Sequence, residues 1–336
     1  MFFVKLMNRQ VILLEDLVDV FRVELGHVLE DVDLPGPGRP PVYPARSMFL
    51  CWLFIYLRVV DSQRRLIDFL NQHPEWKDRL GFERVPDQST FSWFKNHRAR
   101  HIFQRIFDET VRCLVRTGII RGEHVVVDAS LFQAYSNPRK KDGSGVPSDS
   151  DATWAKETST GQWVFGYKIH IISCADSELP LAVIVTTGKR NDSPFFPQLI
   201  SQASRFPIPL SIVGADGNYH SAANHLEAHR LGANTVIPIP DRKHGDPKTL
   251  AQRLRLHPII RRGSELYQLL KRKRQSIERV FSRLKSHFNL DNLRVRGLEN
   301  VMPHTLLSLT SMLIYALTAA KLGLKNLARS PTRLTI

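Results

Sequence analysis

The sequence is poor in cysteine, poor in acid relative to base, and has no apolar run long enough to cross a membrane; each shortage removes a class of protein. Its three cysteines, Cys51, Cys113 and Cys174, lie far apart with no paired spacing. That excludes a zinc ribbon and a disulfide framework and fits a reducing cytoplasm. The two apolar segments, Met48 to Val60 and Leu306 to Ala320, are shorter than the roughly 20 residues needed to span a bilayer and read as buried helices. The N-terminus begins apolar, but Lys5, Arg9, Glu15 and Asp16 interrupt it and no small-residue cleavage site follows, so neither a signal peptide nor a membrane partner is expected. No internal repeat is visible. Acidic residues number 32 against 47 Lys and Arg, a net charge of +15 over 336 residues.

An excess of that size points to a polyanionic partner such as nucleic acid. Its placement sharpens the reading: from Arg242 to Arg296 there are sixteen Lys or Arg and four Asp or Glu, so +12 lies in one C-terminal stretch. A charge serving only solubility would be spread out. With 43% hydrophobic residues and no low-complexity tract, a packed globular protein of two domains is expected.

The first third has helical texture. Val11 to Leu29 carries apolar residues at helix spacing, a Pro/Gly-rich linker runs from Leu34 to Pro44, and further helices follow. Ser62 is placed to cap the helix RRLIDFLNQ and Pro74 to end it; Asp87 or Ser89 is placed to cap a helix through Arg98. His101 to Thr117 repeats the apolar spacing and Gly118 closes it. Short helices with basic residues between them describe a helix-turn-helix reader of DNA, and equally a plain helical bundle. Phe91, Trp93 and Phe94 read as core in preference to a base-stacking surface. Near Ile119 short β-branched runs take over, which places a domain boundary there. The runs are VVVDAS ending at Ser130, Val164 to Ser173, Leu179 to Gly188, Leu210 to Gly217 and Asn234 to Pro240. Helical stretches at Pro194 to Ala203 and Ser221 to Leu231 separate the last three, and a long helix is expected from about Tyr267 to Phe288. Three strands followed by alternation with helices predict a mixed five-stranded sheet with helices packed on it. Residues 132–163 are polar and read as a mobile surface loop.

Three carboxylates carry the candidate chemistry. Asp128 follows three valines and Asp216 follows LSIVGA, flanked by Gly214 and Gly217. Both are expected at strand ends, where a part-buried acid is costly unless positive charge meets it. Taken singly, an aspartate there is a turn former or helix cap; two converging at one sheet end make an oxygen site suited to Mg²⁺ or Mn²⁺. The third, Glu278, lies on RKRQSIERVFSRLKSHF, where about 100° per residue sets Arg274, Glu278 and Lys285 on one face beside the stripe Ile277, Phe281, Leu284 and Phe288. By itself this pattern is a solvated helix with internal ion pairs. Together, three carboxylates can bridge two cations, one lowering the pKa of the nucleophile and one neutralising the leaving oxygen of a phosphodiester. Arg274 and Lys285 would then contact the flanking backbone, and the segment Lys271, Arg272 and Lys273 would meet phosphate. His225 and His229 lack the spacing of a zinc protease and read as an exposed helix face. His170 either touches the site or is a half-buried strand residue.

With these residues the sequence resembles the DDE transposases of insertion sequences, in the superfamily of groups four and five, whose helix signature is Tyr, two residues, Arg, three residues, Glu, six residues, Lys. Arg274, Glu278 and Lys285 match at that spacing; the Tyr position holds Lys271, and the nearest tyrosine is Tyr267. VPDQSTFSWF (Val85 to Phe94), FGYKIH (Phe165 to His170), KRNDS (Lys189 to Ser193), GADGNYHS (Gly214 to Ser221) and RVRGLEN (Arg294 to Asn300) look like the family too, so the likeness covers most of residues 85–300. It implies a ribonuclease-H-like α/β catalytic domain from 120 to 336 behind an all-helical domain, 1 to 119, that serves DNA binding or dimerisation. It further implies two Mg²⁺ or Mn²⁺ ions held by Asp128, Asp216 and Glu278, and contacts from Arg294 and Arg296 as well as Arg274 and Lys285. The partners would be terminal inverted repeats and target DNA, met by a homodimer on paired ends in the cytoplasm, associated with the nucleoid. The reaction would be cleavage followed by joining of 3′-hydroxyl ends. A ribonuclease-H-like nuclease without strand transfer, or a non-catalytic DNA-binding derivative of a transposase, are the alternatives.

Overall fold

The computed structural model describes residues 10–34, 41–138, 145–157, 160–239 and 246–336. Lys5, Arg9, Arg242, part of the expected 34–44 linker, and Lys140, Asp142 and Gly143 of the expected loop lie outside these. The chain divides into two compact units. One holds the residues up to Thr117 with Leu284–Asn292 and Pro303–Ile336; the other holds Gly118–Arg283 with Leu293–Met302. Most of the last helix, from Pro303 onward, belongs with the N-terminal residues in the first of these units.

In the helical unit, a two-residue strand β1 (Ile12–Leu13) leads into α1 (Leu14–Leu25). α2 (Ala45–Tyr56) is buried on every face except at Arg46, as an apolar helix without a polar stripe must be. α3 (Gln63–Gln72) starts at Ser62, whose hydroxyl accepts from the Arg65 amide, and α4 (Pro74–Leu80) begins with Pro74, which has no amide to leave unpaired. α5 (Gln88–Trp93) is capped by Asp87 rather than Ser89 and continues as a π-helical turn, Phe94–Arg98. α6 (Phe103–Arg116) buries Phe103, Ile106, Phe107, Thr110, Val111 and Leu114, the i, i+3, i+4 stripe of a helix with one face on a core. Phe21 stacks on Phe49 at 5.2 Å, and Phe54 meets Trp76 edge-on at 5.4 Å. Trp93 breaks the expected aromatic core: Phe91 and Phe94 are buried, while Trp93 is 56% exposed.

The second unit is built on a mixed sheet. β2 (His124–Gln133), β3 (Thr153–Lys156), β4 (Trp163–Cys174) and β5 (Leu179–Thr187) are joined by antiparallel ladders, with β2 on one edge of β4 and both β3 and β5 in line along the other. β6 (Ile212–Gly214) and β7 (Asn234–Val236) extend the sheet in parallel beyond β2. The five expected strands are all present, and β3 is a sixth. It lies inside residues 132–163, expected as a mobile surface loop; there β2 also runs on to Gln133, and Ala134, Asp149, Ala152 and Ala155 are buried. The ladder with β4 supplies the order that local composition did not signal. Gly166 is obligatory, since a Cβ on it would stand 1.9 Å from the Phe132 carbonyl oxygen. α7 (Phe196–Ala203) and α8 (Ala222–Arg230) fill the crossovers. α9 (Leu250–Leu256) follows, held by a Thr249–Gln252 capping box.

The helix expected from Tyr267 to Phe288 is two helices, α10 (Glu265–Lys273) and α11 (Ser276–His287). Between them the amides of Arg274, Gln275, Ile277 and Glu278 each bond three residues back, so the turn is tighter than an α-helix and the axis is interrupted. The stripe Ile277, Phe281, Leu284 and Phe288 is nonetheless buried throughout. α12 (Leu298–Lys321) follows and is 94% buried over its most apolar window. Finally β8 (Leu334–Thr335) pairs with β1.

Candidate active site

β2 positions Asp128. Val125, Val126 and Val127 are fully buried, and Val126 is the last residue of β2 to pair with β6, opposite Gly214. Asp216 follows two residues after the end of β6, near enough for its charge to act on Asp128. Asp128 is not at a strand end, as expected, but mid-strand, paired with Ile171 on β4. The ladder with β6 ends two residues before it, at Val126.

Asp216 is also a cap, so the plainer expectation for it holds as well: its carboxylate accepts from the Asn218 amide and from Asn218 Nδ2, each at 3.0 Å. Asp128 accepts from the Ala129 amide at 2.8 Å. Burial, reinforced by Asp216 and Asp192 and opposed by Ala129 and Arg274, pushes the Asp128 carboxyl up to about 6. Asp216 is raised as well, first by burial, with the Asn218 amide and Arg274 pulling the other way.

Glu278, in the first turn of α11, is 62% exposed. Arg274 stands between the acids, with Nη1 3.8 Å from Asp128 Oδ2 and Nη2 3.7 Å from Glu278 Oε1. Arg274 and Glu278 stand one turn apart, across the tight turn that joins α10 to α11. Among the described residues, no three His, Cys, Asp or Glu side chains close on one point as a ready-made metal cage.

Asp192 belongs to this neighbourhood and was not singled out from the sequence. Its charge acts on Asp128, Asp216 and Tyr219. Lys168 Nζ lies 2.8 Å from Asp192 Oδ1 and donates to the Arg190 carbonyl at 2.9 Å. His170, left open between site and strand, is fully buried. Its Nε2 meets the Thr186 hydroxyl at 2.9 Å while Nδ1 has no hydrogen-bond partner and lies 3.8 Å from Asp192. Burial, with Lys168 adding to it, pushes the ring down to about 3, so it is neutral. Tyr219 is also fully buried, and its hydroxyl, facing the charges of Asp192, Asp128 and Asp216, has no hydrogen-bond partner. The only hint in the sequence was that KRNDS and FGYKIH, which hold Asp192 and Lys168, follow one another across the β4–β5 hairpin.

The basic residues fall into several settings. Lys271 and Arg272 are exposed on α10, and Lys273 pairs with Asp176 at 2.7 Å. Lys285 lies two turns after Glu278 on α11, and its carbonyl accepts from Arg58 at 2.9 Å. Arg294 is exposed. Arg296 donates to the Tyr135 carbonyl at 2.8 Å, with its guanidinium 5.3 Å from the Tyr135 ring. His229 is exposed, but His225, expected beside it on an exposed face, is buried and bonded to the Thr235 hydroxyl at 2.6 Å.

A sheet ordered β5-β4-β2-β6-β7, antiparallel on one side of β2 and parallel on the other, with helices on its faces, is the ribonuclease-H-like class that the sequence led one to expect. Residues 120–314 match the family model described as the transposase DDE domain, and the chain belongs to that family. Residues 3–97 match a further family described as a transposase domain. Among solved structures, the chain is similar to a piggyBac transposase synaptic complex with hairpin DNA. Identity there is 11% over 97% of this chain and 78% of that one, with a TM-score of 0.45. It is also similar to a Mos1 transposase paired-end complex with the left transposon end, at 10% identity over 76% and 82% of the two chains and a TM-score of 0.22.

Proposed function

We propose that this transposase cleaves DNA at the ends of its element and joins the 3′-hydroxyl ends to a target, with Asp128, Asp216 and Glu278 holding two Mg²⁺ or Mn²⁺ ions. The observation that carries the reading is the nearness of two part-buried acids, Asp128 on β2 and Asp216 two residues past the end of the neighbouring β6, with the Arg274 guanidinium 3.8 Å from Asp128. The donors are all oxygen, which suits a hard divalent cation. Tyr219's unpartnered hydroxyl adds one more polar atom at the same place. The fit asks for one rearrangement. Arg274 must release Asp128 and Glu278, and Glu278 is exposed enough to change rotamer.

When bound, the ions would activate the attacking hydroxyl and neutralise the leaving oxygen. The protein's own part is to hold the acids near one another and to bind the polyanion. Arg274, once free, offers its fork to a phosphate beside the reacting bond. Lys271, Arg272, Lys285, Arg294 and Arg296, with Lys273 after it leaves Asp176, extend that contact along the backbone. Terminal inverted repeats and target DNA are the partners, engaged by a homodimer on paired ends. The helical unit contributes DNA binding or the dimer contact.

The test uses the purified full chain, Mn²⁺, and DNA carrying the sequences that flank its reading frame. Nicking and strand joining should be seen with the parent and lost in Asp128→Asn, with DNA retention unchanged in a gel-shift assay. Equal cleavage by the variant would remove Asp128 from the chemistry; cleavage without joining would favour a nuclease.

A further inference from the structure

The charge around Asp128 does not balance with the three expected acids alone. Asp128, Asp216 and Asp192 act on one another through a part-buried region, and Glu278 reaches the same guanidinium as Asp128. Among the described residues, the cations within 4 Å of this set are Arg274 and Lys168, while His170 is held neutral by burial. Three part-buried aspartates against two cations leave a charge of −1, with the exposed Glu278 beside them, and a part-buried region carries that poorly without a counter-ion. Independently, Tyr219 keeps a fully buried hydroxyl without a hydrogen bond in the field of the three aspartates, and His170 aims an unpartnered Nδ1 at Asp192. Buried polar atoms are nearly always paired, so a pair of orphans around one carboxylate cluster marks a place where a ligand or its water belongs.

We infer that Asp192 is a fourth carboxylate of the divalent-cation site, and that Lys168 is the positive charge paired with it until a cation arrives. The inference rests on the cation site proposed above and adds to it a residue from the turn after β5. Asp192 is well suited to the part. It begins the turn Ser193–Phe195 but makes no capping bond to it, so its carboxylate serves no local structural need. Lys168 is tied at the same time to the Arg190 carbonyl, so it has a second partner to hold when Asp192 turns to a cation. The rival explanation is that Asp192 exists to anchor Lys168.

The two differ in metal binding, which can be measured without DNA or turnover. Free Mn²⁺ is followed by electron paramagnetic resonance as it is titrated into the full chain and into Asp192→Asn, Lys168→Met and Asp128→Asn. If Asp192 belongs to the site, Asp192→Asn weakens Mn²⁺ binding on the order of ten- to a hundredfold, as loss of a supporting carboxylate does elsewhere. Lys168→Met, which removes the competing charge, binds at least as tightly as the parent. Parent-like affinity in Asp192→Asn, with loss in Asp128→Asn, overturns the inference and leaves the cation site standing. Parent-like affinity in both overturns the cation site as well. Should Asp192→Asn prove unfolded by circular dichroism, Lys168→Met decides alone: weaker binding there contradicts a displaceable counter-charge.

Discussion

The helical unit and the sheet unit treat buried polar groups in opposite ways. In the helical unit Tyr56 Oη and His304 Nδ1 bond at 2.8 Å, and His304 Nε2 meets the Leu290 carbonyl at 3.2 Å. Thr110, Ser311 and Thr318 return their hydroxyls to carbonyls one turn back. Among its described residues the unpaired buried side-chain atoms belong to Arg46, Trp52, Arg79 and Ser308, none of them a carboxylate, histidine or phenol. In the sheet unit His124 leaves both ring nitrogens unpaired on the same strand as Asp128, and His170 and Tyr219 leave one atom each. Each such group costs about 1–3 kcal/mol. A fold keeps several together only where they serve something other than stability, so the helical unit is organised by packing and the sheet unit by its acids.

The sharpest test of the first half of that contrast is Phe54→Ala. Phe54 is fully buried between Phe69 and Trp76, and removing the ring should cost about 3–5 kcal/mol, read as a lower urea midpoint. A loss under about 1 kcal/mol would show that α2 is not held by packing. The next largest effect is expected of Gly166→Ala, whose Cβ cannot coexist with the Phe132 carbonyl. The β2–β4 ladder must shift, at roughly 1–3 kcal/mol or more. Faster hydrogen exchange at the Ala134 amide, which bonds to Phe165, would report it. Unchanged exchange would mean that this end of the β2–β4 ladder absorbs the added methyl without opening.

How much of this was legible beforehand follows the same contrast. Packing leaves a periodic trace, so the stripes of α6 and α11, the Ser62 cap and the burial of the two apolar segments could all be read from spacing. The order of the five strands could be sketched, because β-branched runs mark them. Tertiary pairing leaves no such trace. β2 continues through Ala129 to Gln133 because β4 lies alongside, not because those residues favour a strand. α10 and α11 part at Arg274 without a glycine or proline to announce it. Asp128 and Asp216 were visible as acids after apolar runs, whereas Asp192 sits in a polar turn, where an aspartate is the commonplace choice.

The second half of the contrast is tested by removing a buried charge. Burial raises the Asp128 carboxyl from an ordinary 3.8 to about 6. Below pH 4 the acid is protonated folded or unfolded and carries no penalty. Between about pH 4 and 6 the unfolded chain ionises it while the folded one keeps its proton, so stability falls across that window and the full penalty remains above it. Metal-free Asp128→Asn should therefore be more stable than the parent at pH 8 by about 2–3 kcal/mol, with the gain vanishing near pH 4 in thermal melts. Saturating Mn²⁺ should reverse the order, since only the parent gains from binding. A variant less stable at pH 8 without metal would mean that Asp128 is a structural acid.

The smallest expected effect lies in the helical unit and probes Lys95, the one buried lysine among its described residues. Lys95 is buried with its ammonium 4.7 Å above the Trp52 ring, and burial lowers it from 10.5 to about 8. Between those values the unfolded chain holds a proton that the folded chain has given up, so stability rises with pH from about 8 to 10.5; below 8 the folded state bears the whole penalty of a buried cation. The cation–π contact returns about 1 kcal/mol of it. Lys95→Met fills the same space without charge, so at pH 7 it should stabilise by about 1–2 kcal/mol, an advantage that fades above pH 10.5. A Met variant that is weaker at pH 7 would mean that the ammonium has a partner its surroundings do not reveal, and the helical unit would then share the sheet unit's habit of keeping charge for use.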